Sequence, residues 1–136
     1  MASLSITRLH LRSNRYLLPL LWHSLLSARQ ARRADGCLGV ELTRRGGAFW
    51  TQTLWRDAAA MRAFMLSGPH RAVMPKLVEW CDEAAVARVE WTNGTLAGWD
   101  DAEWILAQHG RLSAVKHPSA AHAAGLKMGH AEKIAA

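Results

Sequence analysis

The sequence predicts an α+β domain of the ferredoxin-like βαββαβ kind with an antiparallel sheet, and three observations predict it. Two runs of alternating residues flank Gly46-Gly47 as the arms of a hairpin do. A helical stretch precedes that hairpin and a pair of helical stretches follows it, each bounded by cap or stop residues. Another alternating run opens the chain, and a last one lies just before Asn93-Gly94.

Residues 3–13 form the first strand, with Thr7, Leu9 and Leu11 on one face and Arg8, His10 and Arg12 on the other. Pro19 is tolerated only in the first turn of a helix, so the first helix begins near Leu18. Leu18, Leu21, Trp22 and Leu25 then share one stripe. Arg29, Arg32 and Arg33 crowd the end of that helix, where cations complement its dipole, and Asp35-Gly36 stops it. In the hairpin, Leu38, Val40 and Leu42 share a face of the first arm. Phe49, Thr51, Thr53 and Trp55 oppose Trp50, Gln52 and Leu54 in the second.

Asp57 caps a short helix with the stripe Met61, Phe64 and Met65. Ser67-Gly68-Pro69 separates it from a third helix running from about His70 to Trp80, bent at Pro75. Residues 84–92 form the final strand, with Ala87, Val89 and Trp91 on one face. A last helix carries Asp100, Asp101 and Glu103 in its first turn. The expected division is therefore a domain over 1–95 and a C-terminal helix with a loosely docked tail over 96–136. Helices on one side leave a sheet face bearing Arg8, His10, Arg12, Trp50 and Leu54 uncovered, so a homodimer is expected to cover it.

At 136 residues the chain has room for one core. Its formal charge of +6 is uneven: residues 1–34 hold six Arg and no acid, whereas residues 35–110 hold seven basic and ten acidic side chains. No basic stripe on a recognisable module follows, so no nucleic-acid partner is expected. The apolar run Tyr16–Trp22 is too short to span a bilayer, and no membrane partner is expected either. Cys37 and Cys81 stand alone, which fits a reducing, cytoplasmic setting. His109, His117, His122 and His130 lack the compact spacing of a zinc site, and no metal site is expected. No phosphate-cradling loop or nucleophile elbow is present.

The segment from Thr53 to Met74, TLWRDAAAMRAFMLSGPHRAVM, resembles a recurrent stretch of the antibiotic-biosynthesis-monooxygenase superfamily of dimeric α+β barrels, and more narrowly an uncharacterised bacterial branch of it. The matching features are a strand ending in Trp55, an acid-capped helix ending near Ala63-Phe64, and His70 four residues before Met74. Gly36-Cys37-Leu38-Gly39 and Glu79-Trp80-Cys81 fit the same plan, and the likeness covers residues 4–92. The resemblance implies a pocket between sheet and helices, used in that superfamily by cofactor-free monooxygenases of polycyclic aromatics and by haem-degrading enzymes. The haem-degrading members use a Trp, a His ligand and a first-strand Asn. Here Phe64 and Met74 stand at the first two positions, and ITRLHLR contains no Asn.

Cofactor-independent oxygenation asks for a dry cavity, groups that orient the substrate and a base that forms its anion. His70, in a first helical turn where imidazolium is disfavoured, is the candidate base, with a packing or capping His as the competing account. Trp22, Trp50, Trp55, Phe64, Met65 and Met74 are candidate ligand-binding walls, with plain core as theirs. The expected function is a dimeric barrel with a small apolar pocket, a monooxygenase-like enzyme on an aromatic or polyene substrate without a cofactor. The alternative is a non-catalytic ligand-binding or interaction module of the same fold. A haem-binding protein ranks last.

Overall fold

A computed structural model describes residues 1–128. The strand β1 (Ser3–Leu11) leads through a short 3-10 turn at Asn14–Tyr16 into the helix α1 (Leu17–Arg33). The hairpin β2 (Cys37–Arg45) and β3 (Ala48–Trp55) follows, then the helices α2 (Ala58–Met65) and α3 (Gly68–Trp80), then β4 (Cys81–Glu90). The sheet order is β2-β3-β1-β4, every neighbour antiparallel, and a two-residue β5 (Arg111–Leu112) adds to the β4 edge. The expected ferredoxin-like α+β fold is borne out, as an open five-stranded sheet. The helices α2 and α3 together occupy the second helical position.

Local chemistry explains these boundaries. Gly46 and Gly47 take φ values of 56° and 79°, as the tight turn between paired strands requires. The Asp57 side chain accepts a hydrogen bond from the Ala60 amide at the start of α2. One boundary departs from expectation: β4 begins at Cys81 rather than at residue 84, immediately after α3. The polar Asp82 and Glu83 hide its start in the sequence, but both are paired across β1, to His10 and Arg8.

The larger departure concerns the second face of the sheet. Leu4, Ile6, Arg8, Trp50, Gln52, Leu54, Ala85 and Ala87 are all buried there. The chain itself supplies the cover: Ala97 and the helix α4 (Trp99–His109), through Ala102, Ile105 and Leu106, form one cluster with them. Gln52 exchanges two hydrogen bonds with the Ala97 backbone and fixes the approach. The face expected to await a partner is therefore filled from within.

The stripe of α1 is the second departure. Leu18, Trp22 and Leu25 are 77%, 61% and 63% exposed, whereas Leu20, Ala28 and Ala31 are buried. Periodicity shows that a stripe exists but not which way it faces. On the inner side, Trp55, Met61 and Phe64 already fill the space against Ala31, so α1 meets them through small residues.

Beyond α4 the chain returns along β4. The amides of Ser113, Lys116 and Ser119 donate to the carbonyls of Ala84, Val78 and Asp82, and α5 (Ala120–Ala123) follows. His130 and the rest of the expected tail from residue 129 onward lie outside the described residues. Ser119 also donates to Glu83 Oε2 at 2.7 Å, while Arg8 Nη1 donates to Glu83 Oε1 at 2.7 Å. Burial pushes the Glu83 carboxyl up, but the Ser119 and Arg8 hydrogen bonds outweigh it and hold the group below its usual value. Breaking a buried pair by removing one partner costs about 3–5 kcal/mol. Glu83→Ala is expected to lose about 3 kcal/mol in chemical denaturation, with the loss shrinking in wild type as pH falls through the depressed Glu83 pKa.

Candidate functional site

Between the sheet and the layer of α1, α2 and α3 lies a cavity of about 180 Å³. Its floor follows from strand register. Val40, Thr53, Ser5 and Arg88 lie in one cross-strand row, and Leu42, Thr51, Thr7 and Val86 in the next. Ser5, Thr7, Thr51 and Thr53 therefore form a two-by-two patch of hydroxyls at the centre of the sheet. Thr53 Oγ1 accepts a hydrogen bond from Trp55 Nε1 at 2.8 Å. Among the described residues, the hydroxyls of Ser5, Thr7 and Thr51 have no protein partner.

The roof is α1, which offers Leu20, His23, Ser24, Ser27, Ala28 and Ala31. Small residues here hold the helix off the floor without filling the gap. Ser27 Oγ is buried against the cavity with no hydrogen-bond partner. A buried hydroxyl left unsatisfied costs free energy, so its presence facing a cavity calls for a polar ligand atom or water.

One end of the cavity is closed by Phe64, Met65, His70, Val73 and Met74. His70 Nδ1 lies 3.2 Å from the Met65 carbonyl oxygen, to which only a protonated nitrogen can donate. The neutral ring therefore carries its free lone pair on Nε2. Burial lowers the His70 pKa from the ordinary 6.5, the Met65 hydrogen bond opposes this, and the Arg88 charge adds to it. The ring also packs on Phe64, 4.7 Å between centroids.

Gln30 on α1 positions His70. Its Nε2 donates to the carbonyls of Phe64 and Ser67, while its Oε1 accepts from the His70 amide at 2.8 Å. This suture passes so near Gly68 that a Cβ there would sit 3.2 Å from the Gln30 amide, and the Gly68 φ is +57°. The left-handed φ favours glycine, and a Cβ there would press on the Gln30 amide. Arg88 stands exposed at the cavity edge on β4. It pairs with no carboxylate among the described residues, and partial desolvation and then Arg111 lower its pKa.

Of the residues expected to form a site, His70, Phe64, Met65 and Met74 meet at this cavity. Trp55 is fully buried behind it, stacked on Phe64 at 5.0 Å. Trp50 lies on the opposite face of the sheet, packed under α4. Trp22 points outward with the α1 stripe. His23 lines the cavity for the same reason that Trp22 does not. The hydroxyl patch, Ser27 and Arg88 were not anticipated, although Ser5-x-Thr7 and Thr51-x-Thr53 on an inward strand face were a legible sign.

His10, Asp82 and Glu83 bring ligand-type atoms within 4.8 Å of one another. His10 Nδ1 is engaged with Asp82 at 2.7 Å and both Glu83 oxygens are already occupied, so the group is accounted for as an ion-pair cluster. The cavity under α1, at about 180 Å³, is below the about 300–1,000 Å³ of pockets for drug-sized ligands.

The architecture is that of a ferredoxin-like α+β domain with a small cavity between sheet and helices. The family model for antibiotic biosynthesis monooxygenase matches residues 22–76, which span α1 through most of α3, and the resemblance read in the sequence is thereby borne out. No curated protein matches the chain. Among solved structures, Rv0793 from Mycobacterium tuberculosis is 19% identical with a TM-score of 0.60, over 68% of this chain and 97% of that one. A putative antibiotic biosynthesis monooxygenase from Nitrosomonas europaea is 9% identical with a TM-score of 0.62, over 70% and 94%. A mutant of SnoaB, a cofactor-independent oxygenase from Streptomyces nogalater, is 14% identical with a TM-score of 0.55, over 71% and 98%. At such identities the likeness is one of fold. The likeness leaves about three tenths of this chain uncovered.

Because the folded His70 pKa lies below the unfolded one, neutral His70 costs nothing above about pH 6.5 and opposes folding as pH falls below it. Thermal melts from pH 7.5 to 5 are expected to fall more steeply for wild type than for His70→Phe. Parallel curves would mean that His70 titrates normally.

Proposed function

We propose that this protein is a cofactor-independent oxygenase acting on a compact oxygenated aromatic compound in the cavity between the sheet and α1. The observation that carries the reading is His70, neutral, held by Gln30 and Met65, and placed on an apolar cavity whose floor is hydroxylated. The family match and the fold of a cofactor-independent oxygenase support the class of chemistry. Size narrows the substrate. A cavity of about 150 Å³ suffices for one benzene ring, so 180 Å³ suits one or two rings rather than a long polyene, unless part of the molecule extends past Arg88.

The chemistry needs only substrate, dioxygen and a base. His70 Nε2 takes a proton from an activated ring CH2, and the Arg88 cation favours the resulting anion. The anion passes one electron to dioxygen, and the radical pair joins as a peroxide. Its O–O bond then breaks with loss of water, leaving a carbonyl. The carbon is oxidised from CH2 to C=O, one oxygen atom is retained, and the other leaves as water with both hydrogens. The hydroxyl patch orients the ring oxygens, and the apolar walls exclude bulk water.

Oxygen uptake with a panel of hydroxylated one- and two-ring aromatics tests the reading. His70→Ala is expected to lower turnover at least about a hundredfold, the scale of a general base, while leaving binding by Trp fluorescence within a fewfold. Unchanged turnover would remove His70 as the base. Binding without oxygen uptake in wild type favours the second reading, a ligand-binding module, which the unpaired Ser27 and the hydroxyl patch support equally well.

A further inference from the structure

The helix α1 has two working faces, and only the inner one belongs to the cavity. At 100° per residue, Leu18, Leu21, Trp22, Leu25, Arg29, Arg32 and Arg33 all fall within an outer sector of about 120°. The first four are 77%, 40%, 61% and 63% exposed, and the three arginines are exposed as well. Along roughly 22 Å of helix, the outer face thus changes from apolar with a Trp to purely cationic. Arg15, exposed just before the helix, adds another charge. None of these four arginines pairs with a carboxylate among the described residues, and residues 1–34 contain no acid at all.

Charge decides what this face can meet. Two copies pairing through α1 in parallel would place arginine against arginine. In antiparallel pairing the Arg29–Arg33 end would meet the other copy's apolar Leu18–Leu25 half and its exposed Arg15, with no carboxylate on that face of α1 to answer it. Both arrangements bring like charges together. An anionic bilayer surface offers the complement to both halves: acyl chains for Leu18, Trp22 and Leu25, and phosphate and carboxylate groups for the arginines. No helix among the described residues is long and apolar enough to cross a membrane, so the contact is superficial.

We propose that the outer face of α1 docks this protein on anionic lipid surfaces, placing the cavity behind that same helix next to the bilayer. The expectation of no membrane partner rested on the apolar run Tyr16–Trp22 being too short to span a bilayer, whereas a helix lying on the surface needs only an outward apolar face, which the structure shows. The proposal stands whether the cavity is catalytic or only binds.

The test is sedimentation of the purified protein with vesicles of phosphatidylcholine alone and with 3:1 phosphatidylcholine and phosphatidylglycerol, alongside native mass. Binding is expected only to the anionic vesicles and is expected to weaken from about 50 to 500 mM salt. Replacing Arg29, Arg32 and Arg33 by Gln is expected to lower the partition coefficient on the order of a hundredfold. Replacing Leu18, Trp22 and Leu25 by Ser is expected to abolish binding while circular dichroism and melting stay as in wild type, since these side chains are exposed. Absence of binding to anionic vesicles, or equal binding to neutral ones, overturns the proposal. So does a native dimer that the Ser variant converts to monomer, which would assign the face to a second copy.

Discussion

A buried guanidinium governs the geometry of this domain. Arg8 sits in the central strand β1 at 1% exposure, and a charge so placed is tolerated only with partners in fixed positions. Glu83 is one such partner, two residues along β4 from the register mate of Arg8, so the ion pair and the β1–β4 register specify each other. Ser119 takes the second Glu83 oxygen and draws the returning chain onto the sheet edge. The helix α4 then covers the apolar part of the same face. One charged side chain in the middle of a strand thereby ties the ferredoxin-like unit to the segment that follows it.

Because that face is sealed from within, the sheet's other face is where the fold keeps space. The cavity exists because α1 turns small side chains inward and its large ones outward. Leu20 alone among its inner residues has the bulk of a usual core side chain. Between Ser24 and Ala31 the helix contributes hydroxyls and methyls, and the strands below answer with Ser5, Thr7, Thr51 and Thr53. A core built from such residues is poorly filled and partly polar, both of which weaken it, whereas both suit a ligand with ring oxygens.

The sequence made the strands, the hairpin and the caps legible because these are local: Gly46-Gly47, Asp57 and Gly68 act on their neighbours. Strand parity was legible too, as the opposition of Thr51 and Thr53 to Trp50 and Gln52 shows. The direction of each face was not, since it depends on what packs from elsewhere. Arg8 reads as a surface residue until Glu83 and α4 are known to lie over it. Leu18 and Trp22 read as core until Phe64 and Met61 are seen to occupy that side. Of the site, Phe64, Met65, His70 and Met74 were within reach because they share one contiguous stretch. His23 and Ser27 come from α1 and Arg88 from β4, and only the tertiary fold brings them to the α2–α3 stretch.

The roof of the cavity separates two properties that many sites entangle. Its dimensions are set by Ser24, Ser27, Ala28 and Ala31, while the ring of His70 is held by Gln30 and Met65 at the far end. One methyl or methylene added to a roof residue shortens the space over the floor without disturbing that anchor. The size of the cavity can thus drift by single substitutions while the His70 end stays constant, and each such step also fills a void. Close homologues could then differ in the room over the floor long before they differ at the His70 anchor.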